Sequence, residues 1–332
     1  MDTQREFKAL RIYEEDGKFI RRIEKRKIAD LPEGEVIVNV KYSSLNFKDA
    51  LSVTGNKGVT RKYPHTPGID AAGVVEHSNS DKFKVGDEVI VTSYDLGMNT
   101  DGGFAEYIRV PEAWVVALPK DLEMKQAMVY GTAGFTAALS VYRLLAAGQT
   151  PEMGSVVVSG ALGGVGSVAI SILASLGFEV VAATFDDNGG YEELHELGAT
   201  SRITSEITDD KSGRPLLKPL WAGAIDVIGG NTLHTLLKAC KPLGNVTCCG
   251  NVGSGDLAMT VYPFILNGIS LIGVDSQNCP MELRQKVWDK LATDWNVYNT
   301  KEQVVETSLE EIDTYIDLML AKKSRGRVIV KL

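Results

Sequence analysis

Cysteine is nearly absent: Cys240, Cys248, Cys249 and Cys279 are the four in 332 residues, and none precedes position 240. Their spacing fits neither a disulfide framework nor a paired CxxC zinc site, so buried free thiols are expected. Histidine is as scarce, with His65, His77, His195 and His234 scattered along the chain. Isolated histidines of this kind are core or surface residues more often than metal ligands, because tetrahedral zinc needs convergent nitrogen and sulfur donors. Excess positive charge is missing as well: 43 acidic against 35 basic residues give a net charge of −8. That excludes an extended nucleic-acid surface, which requires clustered Lys and Arg. The one basic tract, Arg21 to Lys27, reads as a solvated strand or turn edge, with phosphate or membrane contact as the alternative.

Long apolar runs are also lacking. The start, Met1-Asp2-Thr3-Gln4-Arg5-Glu6, carries no secretory pattern. The most apolar stretch, 154–183, is broken by a glycine cluster and cannot form a continuous spanning helix. A cytoplasmic protein with no membrane partner is expected.

What is present suits two globular domains: 44% hydrophobic and 23% charged residues allow a sizeable core. The first third is β-rich, with short alternating runs at Val36–Tyr42, Gly73–Glu76, Glu88–Val91 and Glu106–Val110 separated by turn formers. From about residue 126 the period changes. Ala127–Leu145 has helical spacing closed by Gly148 and Pro151. Strands and helices then alternate: strands at Ser155–Ser159, Glu179–Ala183, Ala224–Ile228, Val246–Cys249 and Ile269–Val274, helices at Val165–Leu176 and Tyr191–Leu197. This order predicts an α/β domain with a doubly wound parallel sheet. Helices are expected at 281–293 and 309–322, and a last strand at Arg327–Leu332 that rejoins the first domain.

The sharpest motif, Gly160-Ala161-Leu162-Gly163-Gly164-Val165-Gly166, lies between a predicted strand and a predicted helix. Without Cβ atoms, backbone there approaches a pyrophosphate closely, and the helix N-terminus favours its charge. Gly163 permits that approach and Gly166 lets the helix pack on the strand. Ala161 departs from the strict G-x-G-x-x-G pattern, but the strand-turn-helix context still points to a dinucleotide. Ribose specificity reads two ways. Asp186 or Asp187 on the ribose would select NAD, because a carboxylate about 4 Å from a 2′-phosphate costs about 4 kcal/mol per unit charge. Thr184 and Arg202 would instead cradle a 2′-phosphate, leaving Asp186-Asp187-Asn188-Gly189-Gly190 as a solvent turn.

Several segments carry a family resemblance: Ser43-Ser44-Leu45-Asn46-Phe47-Lys48-Asp49-Ala50-Leu51, Pro67-Gly68-Ile69-Asp70-Ala71-Ala72-Gly73, Val129–Ala138, Thr260–Leu266 and Gly326–Lys331. From about residue 8 onward the chain resembles the acrylyl-CoA reductase and YhdH/YhfP-type quinone oxidoreductase branch of the medium-chain dehydrogenases and reductases. The resemblance implies a GroES-like β-rich catalytic domain over 1–125 and 296–332 and an NADP-binding Rossmann domain over 126–295. It also implies a homodimer in which Ile269–Val274 pairs with its mate, and NADPH-dependent reduction of acryloyl-CoA to propionyl-CoA. NADH is the less favoured cofactor. Carried over by position, the cofactor residues are Phe47, Thr132 and Thr136, then Leu162, Gly163, Gly164 and Val165. Thr184 and Arg202 follow, with Gly250, Ser276 and Arg327 at the cleft rim. Phe47 stands where relatives have a tyrosine, and Phe185-Asp186 where they often have Gly followed by Arg or Asn.

Zinc-dependent relatives hold their metal with Cys and a His-Glu pair in the first domain. Here Gly68-Ile69-Asp70 occupies the Gly-His-Glu position, so no metal is expected. An activated C=C needs hydride at its β carbon, hydrogen-bond donors for the developing enolate oxygen, and a proton at the α carbon. Asn46 and Lys48 are the candidate catalytic groups, with Asp49 orienting them. The competing reading makes Asn46 and Asp49 helix caps and Lys48 a solvated side chain. Tyr94 and Tyr130 are weaker proton-donor candidates, and Arg61, Lys62 and Arg143 are candidates for coenzyme A phosphates. Two other functions stay open: a quinone or enal reductase, and a non-catalytic nicotinamide-binding protein.

Overall fold

The computed structural model describes residues 2–185, 190–297, 304–321 and 323–332. The chain divides into two compact units. Unit 1 comprises Met1–Thr132, Gln277–Ala292 and Thr300–Leu332; unit 2 comprises Ala133–Ser276 and Thr293–Asn299.

Unit 1 opens with an antiparallel hairpin of β1 (Glu6–Glu15) and β2 (Lys18–Lys27). The sequence reading takes Arg21–Lys27 as a solvated strand or turn edge, and it is part of a strand here, β2 pairing with β1 from Lys18 to Lys27. Ion pairs reinforce it. Arg21 reaches Asp313 and Asp317 at 3.3 and 2.9 Å, and Arg26 meets Asp101 at 2.6 Å. The basic tract is thus neutralised within its own unit.

After the hairpin come β3 (Val36–Ser44), α1 (Phe47–Val53), β4 (Asp70–Ser78), β5 (Glu88–Thr92), β6 (Tyr107–Val110) and β7 (Val115–Ala117). Their inward Val and Ile residues, among them Val38, Val75, Val91, Ile108 and Val110, form one buried cluster, as period-two strands with one apolar face require.

The next helical run, α2 (Met124–Ala146), is interrupted at Gly131, whose φ of 49° and ψ of −154° are not helical. Its first residues belong to unit 1 and those from Ala133 to unit 2. Unit 2 then alternates: β8 (Val156–Ser159), α3 (Gly164–Ser175), β9 (Val180–Thr184), α4 (Tyr191–Glu196), β10 (Ser201–Thr204), α5 (Ser205–Thr208), β11 (Trp221–Asp226), α6 (Gly230–Lys238), β12 (Cys240–Cys248), α7 (Tyr262–Asn267) and β13 (Ser270–Gly273). The six strands are parallel in the order β10-β9-β8-β11-β12-β13. This is the doubly wound Rossmann order, with its reversal between β8 and β11.

The chain returns to unit 1 with α8 (Met281–Ala292), β14 (Val304–Ser308), α9 (Ile312–Leu320) and β15 (Arg327–Lys331). The last strand pairs antiparallel with β3, completing the order β14-β15-β3-β4-β5-β7 with β6 also on β3. Residues 277–292 group with unit 1, whereas the sequence boundary put them in the cofactor domain. Side-chain contacts account for the grouping: Arg284 of α8 is fully buried and bonds the Thr92 carbonyl and hydroxyl at 3.1 and 2.9 Å. Among the described residues no helix is long and apolar enough to cross a membrane. All four cysteines are free; Cys240 and Cys279 are buried, while Cys248 and Cys249 are half-buried rather than fully enclosed.

Candidate functional site

Two groupings of polar and glycine residues emerge, one in each unit. In unit 2 the glycine turn joins β8 to α3 at the C-terminal edge of the sheet, beside the strand-order reversal. Gly160 has a φ of 61°. A Cβ on Gly166 would lie 2.3 Å from the Gly160 carbonyl oxygen, so only glycine lets the helix approach the turn this closely. Gly163 is the N-cap of α3 and supplies no side-chain cap. The first amides of a 12-residue helix therefore have no side-chain acceptor from their cap. Around them Gly163 is exposed and Leu162, Gly164 and Val165 are half-buried. The residues present fit a dinucleotide pyrophosphate.

Thr184 ends β9 and pairs in register with Thr204 of β10, while Arg202 pairs with Ala182. Alternation then places Thr184 and Arg202 on the same face of the sheet. Asp186 and Asp187, the competing ribose residues, lie outside the described residues. Thr136 and Ser276 are 140 positions apart, yet their hydroxyls are 2.8 Å from each other. Gly250 follows the end of β12, where a Cβ would meet the Val227 carbonyl oxygen at 2.4 Å.

In unit 1 the hub is Asp70, at the start of β4 and fully buried. Its carboxylate accepts from the Ser44 hydroxyl at 2.6 Å, Asn46 Nδ2 at 2.7 Å, and the Thr132 amide and hydroxyl at 2.8 and 2.5 Å. The Ser93 and Thr132 hydroxyls are 2.8 Å apart, and Thr132 commits its proton to Asp70, so Ser93 is the donor.

Asn46 is the N-cap of α1, and its amide also donates to the Ser44 carbonyl at 3.2 Å. Asp49, fully buried, accepts from the Asn46 amide at 2.8 Å and from those of Gly68 and Ile69 at 3.0 and 2.9 Å. It thereby ties the start of α1 to the segment leading into Asp70. Burial, reinforced by the neighbouring Asp70 charge, pushes its carboxyl up to about 7.

Arg327 does not sit at a rim. It is 5% exposed, with Nε on the Val129 carbonyl at 2.7 Å, Nη2 on Ser44 Oγ at 2.9 Å and Nη1 facing the Leu45 carbonyl and Asn46 Oδ1 at 3.4 Å. Desolvation lowers its pKa, and the charges of Asp70 and Asp49 oppose that shift. It is the buried countercharge of the two carboxylates. Gly131 closes the cluster: a Cβ there would stand 2.4 Å from both Asp70 Oδ2 and Ser44 Oγ.

Lys48, half-buried, donates to Gln277 Oε1. Phe47 is 39% exposed at the first position of α1. Tyr94 is held by its own bonds, its hydroxyl donating to the Cys279 carbonyl and its ring stacked on Trp114. Tyr130 is buried, and Arg61, Lys62 and Arg143 are exposed.

Sequence reasoning named Asn46 and Asp49 as catalytic candidates and, through the family resemblance, Thr132 and Arg327 as cofactor residues, without joining the four in one cluster. It noted Asp70 only as the occupant of a metal-ligand position and missed Ser44, Ser93 and Gln277. A serine at a strand end or a glutamine in a loop carries no periodic signal. Among the described residues no group of three His, Cys, Asp or Glu is placed to hold a metal. The donors gathered at Asp70 are hydroxyls, amides and a guanidinium, with neither thiol nor imidazole, a set that does not fit tetrahedral zinc.

Residues 32–120 match the alcohol dehydrogenase GroES-like domain, and residues 164–293 the zinc-binding dehydrogenase domain. YhfP of Bacillus subtilis (strain 168), which bears a quinone oxidoreductase name, is 47% identical over 304 residues, covering 91% of this chain and 92% of that protein. Its crystal structure with NAD bound superposes with a TM-score of 0.94, covering 99% of this chain and 100% of that one. The acrylyl-CoA reductase AcuI of Ruegeria pomeroyi is 40% identical over 317 residues, 96% of each chain. The yhdH oxidoreductase of Salmonella enterica in complex with NADP has 40% identity and a TM-score of 0.94, covering 98% of this chain and 99% of that one. Full-length similarity at this level, in both units, places the chain in the acrylyl-CoA reductase and YhfP/YhdH oxidoreductase family of the medium-chain dehydrogenase/reductase superfamily.

Proposed function

We propose that this protein is an NADPH-dependent, zinc-independent reductase of an activated C=C bond, converting acryloyl-CoA to propionyl-CoA. The observation that carries the cofactor is the glycine-only approach of α3 to the Gly160 carbonyl, which sets uncapped helix amides beside the strand-order reversal. Thr184 and Arg202 on one sheet face favour a 2′-phosphate, hence NADPH over NADH. AcuI and YhdH, named as an acrylyl-CoA reductase and as an oxidoreductase in complex with NADP, support the same reading.

Bound NADPH supplies the hydride. An α,β-unsaturated thioester is electrophilic enough to accept it without a Lewis acid, provided the enolate oxygen meets a hydrogen-bond donor. Asn46 spends both amide protons inside the protein and Asp49 is fully enclosed. We therefore give both the task of holding the start of α1, and give Lys48 the task of donating to the substrate oxygen. Of the nicotinamide-side residues that the family resemblance implies, unit 1 carries Phe47 and Thr132, and unit 2 carries Thr136, Gly250 and Ser276. Arg327 acts from within, a buried cation bonded to the Val129 carbonyl and to Ser44 Oγ beside the Asp70 cluster.

A homodimer is part of the reading. β13 is the edge strand of its sheet, and α7 beside it exposes Ile265 and Leu266 at 67% and 63%. A second copy pairing along β13 would cover both. Four free thiols suit the reducing cytoplasm, where we place the protein.

The test is the initial rate of NADPH and of NADH oxidation with acryloyl-CoA. Turnover preferring NADPH supports the assignment. Turnover preferring NADH puts Asp186 on the ribose. Turnover with quinones but not with acryloyl-CoA replaces the substrate.

A further inference from the structure

We propose that Gln277 is a positioning residue that aims the Lys48 amine. The inference rests on the reading of Lys48 as the donor to the substrate oxygen.

Lys48 is the second residue of α1, half-buried, with its Nζ donating to Gln277 Oε1. Two features make that contact more than a surface pairing. First, Lys48 sits at the positive end of a helix, where a cation gains nothing from the helix dipole. The dipole therefore gives no reason for a lysine at this position.

Second, Gln277 is held on its main-chain side. Its carbonyl accepts from the Tyr94 amide at 3.2 Å and from Arg284 Nη2 at 3.1 Å. Arg284 is itself fully buried, bonded to Thr92 and lying 4.4 Å over the Tyr94 ring. The Tyr94 hydroxyl returns to the Cys279 carbonyl at 3.1 Å. A buried cation, a stacked aromatic and a main-chain bond from the Tyr94 amide thus fix the base from which the Gln277 side chain extends.

The chemistry of the acceptor matters as much as its position. A lysine side chain loses rotamer entropy when fixed, and an anchored acceptor meets part of that cost before substrate arrives. A glutamate at 277 would hold the amine more tightly but add a negative charge next to it. The neutral amide orients the ammonium and adds none, leaving the positive field for the oxygen that becomes anionic as hydride arrives.

A double-mutant cycle tests this on the full-length protein, reading kcat and KM for NADPH oxidation with acryloyl-CoA or, failing that, with whichever quinone supports turnover. Gln277→Leu should lower kcat by about tenfold, the size of one hydrogen bond to a charged group, with KM for NADPH little changed. In a Lys48→Met background the same substitution should lower kcat no further. Gln277→Glu should also lower kcat while leaving thermal stability unchanged. Should Gln277→Leu fold poorly, Gln277→Asn keeps the main-chain anchor and shortens only the reach, with the same coupling expected. Equal loss in both backgrounds, or no loss in kcat, overturns the proposal. Quinone turnover without acryloyl-CoA turnover removes the thioester reading alone, and the coupling measured with quinone then decides for Gln277. Absence of turnover with every acceptor removes both.

Discussion

Asp70 and Thr132 are bonded twice, the Thr132 amide donating to Oδ2 at 2.8 Å and its hydroxyl to Oδ1 at 2.5 Å, although 62 positions separate them. The two oxygens thereby fix both the backbone and the side-chain rotamer of one residue. Arg327 reaches the same cluster through Ser44, whose hydroxyl accepts from its Nη2 at 2.9 Å and donates to Asp70 at 2.6 Å. Replacing Asp70 by Ala removes one of the two carboxylates facing a buried guanidinium and strands the Ser44, Asn46 and Thr132 donors, and should cost about 3–5 kcal/mol, seen as a lowered denaturant midpoint. Thr132→Val removes only the hydroxyl and should cost far less stability than Asp70→Ala, while weakening cofactor binding in a fluorescence titration.

Gly131 has no tolerable substitute. Its φ of 49° and ψ of −154° are closed to side-chain-bearing residues, and a Cβ would strike Asp70 and Ser44. Gly131→Ala should destabilise by about 3 kcal/mol or more, combining backbone strain with overpacking. Thermal unfolding measures the loss.

Asp49 sets a pH dependence whose sign follows from its upward shift. The folded carboxyl titrates near 7 against an ordinary value of 3.8, so between those values the folded state binds more protons than the unfolded one. Its contribution therefore erodes stability as pH rises from about 4 to about 7, and exerts its full penalty above that window. Asp49→Asn should flatten this part of the stability profile, measured by denaturation at a series of pH values. It should also lower stability at every pH, since an amide cannot accept all three backbone N–H groups.

The two ends of the proposed dinucleotide site separate by substitution. Gly166→Val should abolish binding of both NADPH and NADH, because it forces α3 away from Gly160. Arg202→Ala should spare NADH and weaken NADPH by about 10–100-fold, the value of charge-assisted bonds to a phosphate. Isothermal titration with each cofactor distinguishes these outcomes.

A charge placed on α7 should break the proposed dimer. Ile265→Asp with Leu266→Lys should give a mass near 36.0 kDa by light scattering, where the unaltered protein gives twice that. An unaltered protein already at the smaller mass removes the dimer from the reading.

The sequence by itself determined the elements whose cause is local. The Val-rich runs of β8 and β9, the glycine turn and the start of α3 are read from periodicity and from the missing Cβ atoms, and the Rossmann order follows from their alternation. The basic tract of β2 was legible only as a solvated strand or turn edge, since what settles it is pairing with β1 and acids as distant as Asp313 and Asp317. In the candidate site, Asn46 and Asp49 were visible as a cap pattern, but no spacing rule connects Asp70 to Thr132, Arg327 to Ser44, or Lys48 to Gln277. Those contacts join segments up to 283 positions apart, and only the folding of unit 1 brings them within hydrogen-bond reach. The tertiary structure therefore decided which polar residues are enclosed as scaffold. Enclosure depends on the total of neighbours from distant segments, which local sequence does not encode.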